Sequence, residues 1–270
     1  MPPTDPAPEP APNQNPYELE PKPLSPTLPG SVIVRASVDD LVDAVAADLT
    51  AQAKACVRAF GDFHLALSGG STPEPLYKRL MYDPAYRDLP WKKTHLWIVD
   101  ERRVPEDDAR SNFRMIRELV VEHSDIPPSQ VHPTRAHEPD ADVRYERELR
   151  EILAWREKGH DRLDFVLLGM GDDAHTASLF PRSRALAERE RFYVVNDGPN
   201  VTPPDRVTMT FPLLNSARTL AVLVTGAKKR ATVARVAGRE SGVDDLPVLG
   251  LAPLAGELRW YLDEDACPRG

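Results

Sequence analysis

Cysteine is nearly absent: Cys56 and Cys267 are the only two in 270 residues. Two thiols cannot supply a disulfide scaffold, a thiolate zinc site or a Cys-X-X-Cys redox pair, so the chain reads as a protein of the reducing cytoplasm. Long apolar runs are missing as well. None approaches the roughly 18 residues a spanning helix needs, which excludes an integral helical membrane protein. Positive charge is in deficit, with 34 Lys and Arg against 42 Asp and Glu for a formal charge of −8. That sign argues against a general nucleic-acid binder, and any anionic ligand must meet a local basic pocket. The first residues, Met1-Pro2-Pro3-Thr4-Asp5, carry neither the basic cluster nor the apolar stretch of a secretory signal.

Proline, by contrast, is abundant and unevenly placed: 28 in all, with eleven between Pro2 and Pro29. Locked φ angles and missing N–H donors oppose helix and sheet pairing there, so residues 1–30 read as a disordered Pro-rich tail. The tail is either a solvated extension or a segment that docks a partner. Residues 31–270 read as one domain. Ser31-Val32-Ile33-Val34-Arg35-Ala36 is a β-branched run, and Leu41, Val45, Leu49 and Ala53 recur every four residues on a helix. The alternation continues with apolar runs at 63–67, 96–99, 163–168 and 220–224. Helical stretches are expected from about Thr72, over 112–121, over 143–155, after His175 and over 227–236. Residues 206–211 are β-rich and Glu257 to Leu262 forms the last strand. Short apolar runs separated by amphipathic helices predict an α/β fold, doubly wound, with a mostly parallel sheet flanked by helices on both faces. Ligands of such sheets bind at the carboxyl ends of the strands.

Four segments follow predicted strands. Ser68-Gly69-Gly70-Ser71-Thr72-Pro73 presents backbone N–H groups and hydroxyls before a helix, and reads either as a phosphate cradle or as a glycine-rich turn with a helix cap. It is not a Walker A loop. Asp100-Glu101-Arg102-Arg103, with Ser111-Asn112 at the next helix start, places a carboxylate and a guanidinium where one can order a polar substrate and the other pair with phosphate. Glu101 beside Arg102 either has a role of its own or serves only to hold the arginine's rotamer. In Gly169-Met170-Gly171-Asp172-Asp173-Ala174-His175 the glycines do not complete a dinucleotide fingerprint. His175 alone among seven histidines follows a buried strand and a carboxylate-bearing loop, the setting of a general base. His64 falls within a strand, while His95, His123, His132, His137 and His160 read as turn or surface residues. Thr225-Gly226-Ala227-Lys228-Lys229 offers a lysine to a phosphate or begins a surface helix, and Arg206 is either an anion contact or a strand-edge charge.

With these segments in this order, the chain resembles the 6-phosphogluconolactonase family from about Val32 onward. The loop Ser68 to Pro73, Asp100-Glu101-Arg102 with Ser111-Asn112, and His175-Thr176-Ala177-Ser178-Leu179-Phe180-Pro181 carry the resemblance. It implies the fold shared by these lactonases, glucosamine-6-phosphate deaminases and ribose-5-phosphate isomerases. It also implies hydrolysis of 6-phospho-D-glucono-1,5-lactone in the pentose phosphate pathway, without metal or cofactor. His175 would be the base, Asp173 would orient the imidazole or the water, and Asp100 would hold substrate hydroxyls. Substrate and phosphate contacts would fall to Ser68, Gly69, Gly70, Ser71, Thr72, Arg102, Asn112, Gly171, Arg206 and Lys229. Two departures stand out. Ala174 occupies a position that is usually glycine, and the lysine many members carry near Asn200-Val201-Thr202 is missing, which shifts the cationic role to Arg102, Arg206 and Lys229. Deaminases of this fold place an acidic residue five positions after the histidine, where this chain has Phe180. A non-catalytic phosphosugar-binding regulator is the remaining alternative, although neither a helix-turn-helix pattern nor a basic patch accompanies it.

Overall fold

In the computed structural model, which describes residues 22–198 and 201–270, strands and helices alternate much as the apolar runs predict. β1 (Ser31–Arg35) leads to α1 (Val38–Phe60), β2 (Phe63–Leu67) to α2 (Glu74–Tyr82), and β3 (Thr94–Ile98) to β4 (Asp100–Arg102) and α3 (Asn112–Leu119). β5 (Val131–His132) precedes α4 (Ala141–Leu153), and β6 (Phe165–Gly169) leads by a long loop to β7 (Tyr193–Asp197) and β8 (Asp205–Met209). α5 (Phe211–Leu214), β9 (Thr219–Val224), α6 (Arg230–Gly238) and β10 (Glu257–Asp263) follow. Local chemistry sets the ends of α1. The Ser37 hydroxyl accepts from the Asp40 amide at 3.1 Å, and Gly61 closes the helix at φ 92°.

Seven strands form a parallel sheet in the order β1-β10-β9-β6-β2-β3-β5. Strand periodicity divides its core into two layers: Leu65, Leu67, Leu96 and Ile98 join α1, α2 and α3 on one face, while Ala66, Trp97, Val166 and Leu168 join α4 and α6 on the other. Every residue of β2 is buried, as a strand covered on both faces requires. β2 has β3 on one side and β6 on the other, so the loops leaving β2 and β6 diverge. That switch point is where an open α/β sheet leaves a crevice.

The β-rich stretch near Arg206 is one strand of a separate antiparallel sheet, β4-β8-β7, joined to the end of β3 by the Met209 amide donating to the Val99 carbonyl at 2.8 Å. No helix follows His175: Ala177 sits at φ 51° and Pro181 follows, so the chain turns instead and forms only a 3-10 turn at Arg184–Ala187. Residues 22–30 are not a free tail. The Leu24 amide donates to the Pro268 carbonyl and the Trp260 indole to the Pro29 carbonyl, both at 2.8 Å, and Leu28 is buried. Prolines lack the donor but keep the acceptor, so a Pro-rich segment can still be clasped by its carbonyls. The rest of the tail for which partner docking is the alternative reading, residues 1–21, lies outside the described residues. His95 and His132 are also buried in β3 and β5 rather than on the surface, because strand pairing carries His95 against His64 and His132 against Trp97. Among the described residues no helix is long and apolar enough to cross a membrane.

Candidate active site

At the switch point the loops after β2 and β6 enclose a cleft of about 210 Å³ lined by Ser68, Gly69, Gly70, Thr72, Asp100, Arg102, Asn112, Gly171 and His175. Residues more than 100 positions apart in sequence meet there. Gly69 has to be glycine, because a Cβ would collide with the Asn112 side chain. The Ser68 hydroxyl donates to the Leu167 carbonyl of β6 at 2.8 Å and so ties the two diverging loops together. α2 begins beyond this loop without a side-chain cap on its first turn, leaving N-terminal amides for an anion.

His175 ends a tight turn. The Gly171 amide donates to the His175 carbonyl at 2.8 Å and the Ala174 amide to the Gly171 carbonyl at 3.1 Å. Ala174 takes the left-handed conformation, φ 65°, at a cost of about 1 kcal/mol relative to glycine. Its carbonyl accepts from the Val248 amide at 3.0 Å and its methyl is wholly buried, so the surrounding structure holds the strained residue. Nδ1 of His175 lies 2.5 Å from Oδ1 of Asp173. A carboxylate only accepts, so Nδ1 carries the proton and Nε2 is the basic nitrogen. Burial pushes the Asp173 carboxyl up, but the hydrogen bonds and charge of His175 outweigh it and hold the group below the ordinary carboxylate value. Against the imidazole packs the ring of Phe180, with centroids 4.9 Å apart.

The segment after β3 divides its work. Asp100 and Arg102 line the cleft, whereas Glu101 points inward and is buried. Its carboxylate accepts from the amides of Arg102, Asn112 and Phe113, each at 2.7 Å, and from the Ser111 hydroxyl at 3.0 Å. Burial raises this carboxyl above its usual value, partly offset by those donors. Glu101 therefore holds the backbone of Arg102 and the start of α3, not the arginine's guanidinium. Arg206 faces Arg102 across the β4–β8 pair. Its guanidinium is buried, bonded to the Pro203 and Asp205 carbonyls, with no carboxylate partner among the described residues. Burial and then the charge of Arg102 lower its pKa.

Not every candidate reaches the cleft. Ser71 is exposed beside it, and Asp173 stands behind His175. Lys229 pairs with Asp172 at 2.5 Å, which places its ammonium on the His175 loop instead of in the cleft. Asn200 lies outside the described residues. Sequence reasoning gave no role to Ser178, Asn196 and Thr208, buried polar residues that meet behind the His175 turn. Only their polarity within apolar surroundings could have marked them.

A family described as glucosamine-6-phosphate isomerases/6-phosphogluconolactonase matches residues 36–260. The chain belongs to that family. It is 41% identical over 210 residues to a 6-phosphogluconolactonase of Synechocystis, covering 76% of this chain and 84% of that protein. A human GDH/6PGL endoplasmic bifunctional protein is 38% identical over 272 residues, 94% of this chain; the chain spans 33% of that relative's length. Among solved structures, the devB protein superimposes with a TM-score of 0.77 at 32% identity, covering 87% of this chain and 97% of the other.

Proposed function

We propose that this chain hydrolyses 6-phospho-D-glucono-1,5-lactone to 6-phosphogluconate, with His175 as general base. The observation that carries the reading is the Asp173–His175 pair, in which the imidazole lines the cleft, Asp173 stands behind it and Nε2 is left to take a proton. Water adjacent to Nε2 gives up its proton to that nitrogen as its oxygen bonds to the lactone carbonyl carbon. The bond from that carbon to the ring oxygen then breaks, and the proton on Nε2 passes to the departing oxygen. One water is consumed and the imidazole ends as it began. Asp173, held ionised, stabilises the intermediate imidazolium, and general acid–base assistance of this kind contributes about 10²- to 10⁴-fold.

The phosphate end belongs at Gly69, Gly70 and the start of α2, with Arg102 at the wall and Arg206 behind it. The charges of Arg102 and Arg206 repel, and a bound anion relieves that repulsion, so this pair favours a phosphorylated substrate. Binding energy from that remote group can then be used to position the lactone. Phe180 offers no proton to a sugar ring oxygen, which disfavours the deaminase chemistry. A cytoplasmic location is the reading that two buried, unpaired thiols support.

The test is hydrolysis of 6-phosphogluconolactone generated in situ, followed above its spontaneous background for wild type and His175→Ala. We expect a loss of at least about 10²-fold in the variant with its fold intact. Near-normal turnover in a folded His175→Ala protein would overturn the assignment of the base, and an inactive wild type would overturn the reaction.

A further inference from the structure

We infer that Ser178 is a positioning residue for this reaction, one that fixes Asp100 relative to the imidazole of His175. It touches neither the cleft nor the imidazole, and it is 1% exposed. Its hydroxyl donates to Oδ2 of Asp100 at 2.7 Å. Its amide donates to Oγ1 of Thr208 at 3.1 Å, and its carbonyl accepts from Nδ2 of Asn196 at 2.8 Å. Asp100 belongs to β4, Thr208 to β8 and Asn196 to β7. Each strand of the small antiparallel sheet therefore contributes one side chain to the same residue of the His175 turn.

The donors and acceptors are consistent. The Thr208 hydroxyl gives its own proton to the Met209 carbonyl at 3.0 Å, so towards Ser178 it can only accept. Asp100 lies directly opposite Thr208 in the β4–β8 register. The left-handed Ala177, φ 51°, turns the chain so that Ser178 enters this sheet three residues after His175. Residue 178 is thus the point at which the loop carrying the base is locked to the strand carrying Asp100. A network of this kind is satisfied only in one arrangement, and misplacement of reacting groups by about 1 Å can cost 10²-fold in rate.

The inference rests on the lactonase reading and on Asp100 contacting the substrate. Its test is a double-mutant cycle of Ser178→Ala and Asp100→Asn in the lactonase assay, with kcat and KM taken per folded molecule and melting followed by circular dichroism. We expect Ser178→Ala to lower kcat about 10-fold while KM stays within about 2-fold, since the phosphate contacts at Gly69, Gly70 and the start of α2 lie on the other loop. In the Asp100→Asn background the same substitution should lower kcat little further. Ser178→Thr, which keeps the hydroxyl, should recover most of kcat even if its extra methyl lowers the melting temperature. Additive losses in the cycle, or a melting shift with kcat unchanged, would overturn this inference while leaving the lactonase reading intact. Failure of Ser178→Thr to exceed Ser178→Ala in kcat would count against it equally. An inactive wild type would overturn both.

Discussion

Asp173 decides which nitrogen of His175 is basic, and it does so from two residues away along the chain. Replacing it by Asn keeps the shape but allows the amide to donate towards Nδ1, which favours the wrong tautomer and removes the charge facing the imidazolium. Asp173→Asn should lower kcat about 10²- to 10⁴-fold with a small change in melting temperature, measured in the same assay. Gly171 is a second point of control. A Cβ there would run into Nδ1 of His175 and crowd Oδ1 of Asp173, so Gly171→Ala should displace the imidazole. A drop in kcat of at least about 10-fold without loss of far-UV circular dichroism would bear this out. At this scale the sequence pointed to His175, Asp100 and Arg102, which line the cleft, because each follows an apolar run. It could not show that Lys229 is taken up by Asp172, or that Arg206 turns to a carbonyl, since those partners are fixed by side-chain packing.

Among the elements, α3 depends most visibly on one side chain. Its first turn offers amide donors, and Glu101 receives those of Asn112 and Phe113 while Ser111 caps the Arg114 amide at 3.1 Å. Glu101→Gln removes the charge and turns an NH₂ group towards at least one donor, a buried mismatch worth about 2 kcal/mol or more. For a domain of this size that is roughly 5 °C in melting temperature, and an unchanged melt would refute the capping role. Most helices and core strands were legible from periodicity, because burial on both faces forces an apolar run. The stretch after His175 was misread for a physical reason. Only the strand–helix alternation predicts a helix there, and left-handed backbone at Ala174 and Ala177 interrupts any helix. β4 and β7 escaped notice because the polar residues of short edge strands do not alternate clearly.

For the whole molecule, the buried histidines set an acid limit. His95 stacks on His64, with centroids 4.8 Å apart, and its Nδ1 lies 3.0 Å from Nε2 of His132. Burial foremost, then the neighbouring histidines, lower the His95 pKa from the ordinary 6.5 to about 4, with Asp62 opposing and Arg156 adding to the shift. His64 is lowered as well, chiefly by burial. The unfolded chain binds these protons more readily than the folded one. Stability is therefore fully present above about pH 6.5 and is lost as pH falls towards 4, by about 3 kcal/mol for His95 alone. Urea midpoints measured at pH 7 and pH 4.5 should differ accordingly, and His95→Phe should flatten the dependence; equal midpoints would contradict it.

The sequence by itself determined the alternation of strands and helices, the parallel sheet, and the loops that carry His175, Asp100 and the Gly69-Gly70 turn. It could do so because burial and backbone geometry act on neighbouring residues, and their period is written locally. Only the tertiary structure decided that β6 lies beside β2, so that loops a hundred residues apart share one cleft. It also decided that Ser178 meets Asp100 and that residues 22–30 clasp the C-terminal strand. Those contacts join distant parts of the chain through single hydrogen bonds, and no periodicity announces a hydrogen bond between residues that far apart.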